Sequence, residues 1–471
     1  MIAGFASSWM AVLLMALGGG SVSRDLVALV DAEDYFKAHS IEVKAEALLE
    51  MAAKEPEDAK GQVVQLLALR WLGEHPDQAN KVKNARAAVG QIAAGKKAQD
   101  RLGFARDYAQ RTLALLDGKP AAKPAAIPAN SVAREALQWF PDSATLFGAY
   151  DLRASGEFAL MDESRVRSFL LKMMVRPQDK EEFYKFVDGT GNMRLDRLSF
   201  AYTHDPQDNS KGRIYLRFTG LADRKALTDL IKKGLQEAKV EFKKGPKGGL
   251  MTVISSEKHP PAYALIGDTE MLMCGYQVNE NAREVLEEAL DVQAGKKDSI
   301  LKGRYADKLK QVPPGAVGVI MGDVPEYLRQ EFVRGGSPLK AIPKSIAAFM
   351  TRTKTIKIDC HATMADADDA KAFAENVAEL KKMAMDNLKQ LPAQFKLTLE
   401  QIKVLTKALE GIKVQAKDDK VTGGVEFTQK MVAVAQDVAQ KGMELLLEST
   451  PASRPIPKPK ETKEVEKKED K

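Results

Sequence analysis

Cys360-His361 is the one place in this chain where a thiol and an imidazole are neighbours, a pairing suited to metal ligation or nucleophilic catalysis. The residues around it alternate. Ile356, Ile358, Cys360 and Ala362 share one face of an extended segment, and Lys357, Asp359, His361 and Thr363 share the other. The pattern points the thiol into the core and the imidazole into solvent, so the two cannot hold one ligand. Asp366, Asp368 and Asp369 stand where a helix should begin, where carboxylates cap free N–H groups and complement the helix dipole. Asp188-Gly189-Thr190-Gly191-Asn192 has the oxygen-rich character of a calcium loop. An EF-hand, however, needs glycine at position six and a bidentate Glu at position twelve. Those places hold Met193 and Ser199, which leaves a turn. Gly245-Pro246-Lys247-Gly248-Gly249 lacks the Gly-Lys-Ser/Thr of a phosphate loop and reads as a glycine hairpin loop. His39, His75, His204 and His259 are scattered, and no zinc-protease, nucleophile-elbow, Cys-x-x-Cys or dinucleotide signature occurs. No catalytic, cofactor-binding or metal residue is therefore assigned, and no cofactor is expected. A site assembled from distant residues stays open as an alternative.

The elements that would position any such group follow an internal pattern. Pro141-Asp142-Ser143-Ala144, six residues, then Asp151-Leu152 recurs as Pro313-Pro314-Gly315-Ala316, six residues, then Asp323-Val324, at an offset of 172 (313 − 141). The six intervening residues are uncharged in both copies, and a proline just before such a run suits the start of a strand. Each opening strand is followed by one order of elements: helix, strand, helix, hairpin, helix. In the first copy, strands are expected at 198–203 and 213–218 with an exposed turn at 205–212, a helix over 222–238, and a hairpin around Gly267-Asp268. In the second, one long strand is expected over 353–364, then helices to Leu409, and a hairpin around Asp418-Asp419-Lys420. Short antiparallel hairpins with helices between them predict an α+β fold: a helical N-terminal module followed by two related units of antiparallel sheet packed with helices.

Before the repeat, Val63, Leu66, Leu67, Arg70 and Trp71 recur at helical spacing, with Gly73 near a stop and Pro76 beyond it. Ala68 to Gly73 is similar to the first helix of a HEAT-type or tetratricopeptide-type pair. A Pro/Ala run marks a semi-rigid linker. The expected organisation is a signal peptide at 1–23, a helical module at 24–117, a linker at 118–131, α+β units at 132–310 and 311–448, and a disordered Pro/Lys/Glu tail at 449–471.

Residues 1–23 carry no charge, and Ser21 and Ser23 suit cleavage before Arg24, although no basic residue precedes the apolar run. The same stretch also fits an uncleaved anchor or a buried N-terminal helix. The 71 basic and 65 acidic residues nearly cancel, leaving a net charge of +6, which lacks the concentrated positive field of a nucleic-acid binder. With 44% hydrophobic residues the chain has ample material for a core. Cys274 and Cys360 read as two small buried apolar residues, and pairing in an oxidising compartment is left open. The methionines, Met271 and Met273 among them, fit core filling or a deformable pocket for a hydrophobic ligand.

The paired strand openings at Pro141 to Leu152 and Pro313 to Val324 resemble a pattern in exported bacterial proteins of unassigned function, planctomycete-type in flavour. The resemblance implies export to the periplasm or cell envelope and brings no active site. The expected function is a non-enzymatic envelope protein that binds or scaffolds. The alternatives are a periplasmic carrier of hydrophobic ligands such as lipids, held between the sheet and methionine-bearing helices, and an enzyme with a non-local site. Its partner would be an unknown protein or a hydrophobic ligand, with membrane association only through an uncleaved N-terminal segment.

Overall fold

The computed structural model describes residues 25–95, 102–119, 132, 135–153, 180–205, 208–235, 237–245, 248–257, 261–276, 281–326, 329, 341–388, 397–435 and 437–438. The leader and tail expected from sequence, and most of the Pro/Ala linker, lie outside these residues.

A short 3-10 turn at Leu26–Leu29 precedes helices α1 (Ala32–Ala38), α2 (Ala45–Ala53), α3 (Ala59–Glu74), α4 (Pro76–Ala79), α5 (Ala85–Ala93) and α6 (Phe104–Leu116). They pack around α3, which is buried on every side from Gln65 to Gly73. Gly73 is there for fit: an added Cβ would lie 3.1 Å from Leu115 and 3.3 Å from the Thr112 backbone on α6. Strand β1 (Leu146–Asp151) follows, then α7 (Lys180–Thr190). Tyr184 and Val187 of α7 stand three residues apart and join the core of the helical module. That module therefore takes a helix from beyond the linker.

The remaining elements build a sheet. They are β2 (Arg194–Asp205), β3 (Asp208–Leu221), α8 (Arg224–Gly234), β4 (Lys239–Lys244), β5 (Leu250–Ser255), β6 (Ala262–Ile266), β7 (Glu270–Tyr276), α9 (Ala282–Gln293) and α10 (Ala306–Leu309). After these come β8 (Ala316–Asp323), β9 (Ser345–Arg352), β10 (Thr355–Thr363), α11 (Ala367–Leu388), α12 (Leu399–Glu410), β11 (Lys413–Lys417) and β12 (Lys420–Thr428). The fold is α+β. All twelve strands form one antiparallel sheet in the order β11-β12-β10-β9-β8-β1-β2-β3-β7-β6-β5-β4.

The two stretches that share the sequence pattern meet at the centre of this sheet. β1 pairs with β8, and Gly148 stands opposite Ile320, 172 positions further along. Close packing fixes the residue types at this seam. A Cβ on Gly148 would lie 2.5 Å from the Phe200 ring and 2.7 Å from the Val319 carbonyl oxygen. Gly318 lies beneath the Tyr150 ring, and Gly322 has φ +148° with Thr145 against it. On the opposite face Phe147, Ala149, Val319, Met321 and Phe349 enter the main core, covered by α9 and the segments around Phe140 and Tyr305.

At the end of β1 the fully buried Asp151 accepts hydrogen bonds from Arg153 Nε and Nη2 at 3.0 and 2.6 Å and from Arg197 Nη2 at 3.0 Å. Burial opposes its ionisation, yet the Arg153 and Arg197 contacts prevail and hold the carboxyl below its ordinary range.

Several expectations need correction. The exposed turn at 205–212 is mostly strand: β2 runs to Asp205, β3 begins at Asp208, and His204 pairs with Gly212. Turn-forming composition there yields to ladder hydrogen bonds and to Tyr202 covering Gly212. The long strand at 353–364 is preceded by another, β9, which sequence pattern missed. Ile346-Ala347-Ala348-Phe349-Met350 is apolar without alternation, as suits a central strand with both faces occupied. Asp188 to Thr190 are the last turn of α7 and not a free turn, and Gly191 at φ +68° ends the helix. Asp366 caps a helix as expected, accepting from Asp369 N at 2.8 Å, and Asp223 caps α8, accepting from Ala226 N at 2.9 Å. The helix expected directly after each opening strand, and the helix expected to close the second copy, lie wholly or largely outside the described residues.

Two outcomes follow. Gly148→Val should lower stability by about 1–3 kcal/mol or more, whereas Gly189→Ala, whose Cβ meets nothing within 4 Å, should leave the denaturant midpoint nearly unchanged. Because the folded pKa of Asp151 is depressed, its contribution is present above the unfolded carboxyl pKa of about 4 and is lost as pH falls through the folded value. Asp151→Asn should cost about 3–5 kcal/mol at pH 7 through the stranded arginines and remove that acid-limb dependence, as thermal melts across the acid range will report.

Candidate functional site: an apolar pocket beneath one helix

The sheet face opposite the main core carries a row of large apolar side chains. The strand register sets Phe218 of β3 beside Met271 of β7, and Met271 beside Leu265 of β6, so all three project from one face. Tyr263 is next on that face of β6. Across this floor lies α8. Leu227, Leu230 and Ile231 recur at three- and four-residue spacing and form one stripe toward the sheet. Leu26 and Leu29 of the 3-10 turn, Phe186 of α7 and Leu195 of β2 close one side. The pocket, open on one side, measures about 430 Å³, within the range that holds small organic ligands.

The polar groups at its margin are mostly engaged with one another. Arg194 pairs with Asp25 at 2.8 Å and Asp107 at 3.1 Å, and its guanidinium lies 5.2 Å from the Phe104 ring centroid. Burial works against its charge, but Asp25 and Asp107 outweigh burial and raise its pKa. The same contacts tie the helical module to the sheet, with Leu26 N donating to Met193 O at 2.7 Å. Arg224 opens α8 and donates through Nη1 to Leu250 O at 3.3 Å, and its backbone N–H reaches Asp268 Oδ1 at 3.1 Å. Burial pushes the Tyr263 phenol up, so it stays neutral and offers a hydroxyl at the edge of an apolar volume. The pocket can hold an apolar body; within it no nucleophile is paired with a base.

Met271 does line this pocket, as the methionine reading allowed. The helix above it contains no methionine, so the expected methionine-bearing helices do not form its roof. Met251, Met321, Met350 and Met364 are buried in cores. The residues that pattern analysis missed are those of α8 and the 3-10 turn. A signal existed in the strip Leu227, Leu230 and Ile231, but nothing in the sequence tells a stripe that seals a core from one that spans a hollow.

The other sequence candidates are not gathered here. Cys360 pairs in register with Ala348 and Gly423, and His361 with Ala347 and Thr422, which confirms that they point to opposite faces. The expected burial of the thiol is wrong: Cys360 is exposed. Its cross-strand neighbours are small, and α11 packs over β11 instead of over β10. His361 lies with Lys357, Asp359 and Gln415 along an open polar groove of about 450 Å³, where Lys357 and Asp359 pair at 2.9 Å. Cys274 is buried, and burial raises its pKa strongly. Gly245 and Gly249 close the β4–β5 hairpin, with Gly245 N donating to Gly249 O at 2.6 Å. His39 donates through Nε2 to Asp188 Oδ2 at 2.9 Å, and Tyr35 hydrogen-bonds the other oxygen of that carboxylate, a link between α1 and α7. His75 stacks on Trp71, His204 lies in β2, and His259 is outside the described residues. Among the described residues no group of three or more His, Cys, Asp or Glu is placed to hold a metal ion.

No protein-family model matches the chain, and no curated protein matches it. Among solved structures, one described as crystal form I of TP0453 is similar over 64% of this chain and 97% of that chain, with 10% identity and a TM-score of 0.32. A likeness that distant carries no argument about function.

Thiol accessibility follows from this geometry. Native protein should label with a maleimide at Cys360 and not at Cys274. Burial and the neighbouring Asp359 raise the Cys360 pKa, so the rate should climb as pH increases above neutrality. Peptide mapping by mass spectrometry reads both outcomes.

Proposed function

We propose that this chain is an exported, non-enzymatic envelope protein that binds a hydrophobic ligand such as a lipid in the pocket between α8 and the sheet. The observation that carries the reading is the pocket itself: about 430 Å³ with a mostly apolar surface to which Leu, Ile, Phe and Met side chains contribute most, and with Asp25, Arg194, Arg224, Tyr263, Asp268, Thr269 and Glu270 also in its lining. Apolar volume with a few polar groups at one margin suits an acyl or comparable chain with a polar end. The floor includes Met271, whose unbranched thioether adapts to ligands of differing shape. Export is proposed from the uncharged, apolar residues 1–23, and among the described residues no helix is long and apolar enough to cross a membrane.

Duplication of one α+β unit belongs to the same proposal. It is supported by the matched strand openings, by Gly148 pairing with its counterpart Ile320, and by the paired caps Asp223 and Asp366. The halves are unequal. β4 to β7 form a four-stranded meander in the first, where the second has only β11 and β12, and the pocket lies on that enlarged side.

Native mass spectrometry of gently purified protein should show a co-purified hydrophobic species, and the emptied protein should bind a fluorescent fatty acid. Leu230→Trp, which fills the volume from a half-buried position, should reduce that binding at least tenfold while the fold persists by circular dichroism. Absence of both ligand and probe binding would remove the proposal.

A further inference from the structure

We propose that the end of the sheet formed by α8 and the β4–β5 hairpin docks on an anionic lipid bilayer, with the pocket beside the contact. This rests on the hydrophobic-ligand reading above for its purpose, though not for its evidence. Phe242 and Leu250 are 68% and 48% exposed, unusual for large apolar side chains at a hairpin. The register sets Phe242 opposite Thr252 and Lys244 opposite Leu250, and Thr252 opposite the pocket residue Leu265. Phe242 and Leu250 therefore leave the sheet on the face that carries the pocket. The link is direct, because the Leu250 carbonyl accepts from Arg224 Nη1 at 3.3 Å and from Gly267 N at 3.0 Å, and both donors belong to residues of the pocket wall.

Charge selects the partner. Lys244 on the hairpin and Lys225, Lys232 and Lys233 on α8 are exposed, and among the described residues none is paired with a carboxylate. Asp229 is the acidic residue among them on the solvent side of α8. Of the other described lysines of the hairpin, Lys239 pairs with Glu257 and Lys243 with Glu241, which is also clamped by Arg283. Exposed apolar anchors flanked by unpaired lysines match a layer with an apolar interior and negative head groups. This contact differs from anchoring through residues 1–23, because it uses the folded body.

The test is co-sedimentation of the full chain with vesicles of phosphatidylglycerol and phosphatidylcholine, against pure phosphatidylcholine. Binding should require the anionic lipid and weaken as salt shortens the Debye length from about 10 Å at 0.1 M. The double variant Phe242→Ser/Leu250→Ser should lose sedimentation while still binding the fluorescent fatty acid. Each of Lys232→Gln and Lys244→Gln should weaken vesicle binding about fivefold. Leu230→Trp should lose the fatty acid and keep the vesicles, so the two readings fail separately. Sedimentation with neither vesicle, equal sedimentation with both, or undiminished binding by the double variant would overturn the proposal. So would a dimer in solution that the double variant abolishes, since the hairpin would then serve a second copy through the β4 edge.

Discussion

The pairing of β1 with β8 is the contact on which the rest of the sheet depends. These strands are far apart in sequence, yet each opens its half of the molecule, and the ladder between them makes one twelve-stranded surface from two smaller ones. A join between sheet edges leaves no unpaired row of backbone groups in the interior. It also constrains composition. Gly148, Gly318 and Gly322 stand where side chains would strike Phe200, Tyr150 or the backbone of Thr145, and the aromatic rings supply the buried area that the glycines lack. The opposite face of the same strands is ordinary core, so the seam is held by packing on one side and close approach on the other.

Charge finishes what packing begins. Asp151 at the end of β1 is buried with Arg197 from the adjacent strand and Arg153 two residues further on, and Arg217 nearby lies 4.9 Å from the Trp139 ring centroid while it pairs with Glu270. Such groups cost much to bury, and the ion pairs offset that cost. The Asp25–Arg194–Asp107 chain does the same between the helical module and the sheet. Asp25 and Arg194 of that chain line the pocket together with Leu26 and Leu29.

The asymmetry of the two halves is where function is proposed to lie. The extra hairpin of the first half extends the sheet past α8 and leaves Phe242 and Leu250 uncovered at its end. On the other half α11 and α12 lie against β11 and β12, and the hollow along those strands is the open polar groove beside His361. The proposal thus places the apolar ligand and the charged surface at one end of the sheet.

Local chemistry in the chain determined a good deal. Alternation and turn residues specified the β6–β7 and β11–β12 hairpins, helical spacing and Gly73 specified α3, and carboxylates at helix starts specified the caps at Asp223 and Asp366. Each of these depends on neighbours within a few residues. The α+β class followed from their order. What the sequence could not settle depends on distant partners. The strand β9 is apolar on both faces because it lies between β8 and β10 with Phe349 and Met350 buried on opposite faces, Cys360 is exposed where α11 packs over β11, and α7 belongs to a module from which the linker separates it. The pocket is the clearest case. Leu227, Leu230, Ile231, Phe218 and Met271 look like core residues in any local window, and only the three-dimensional separation of α8 from the sheet decides that they surround a space.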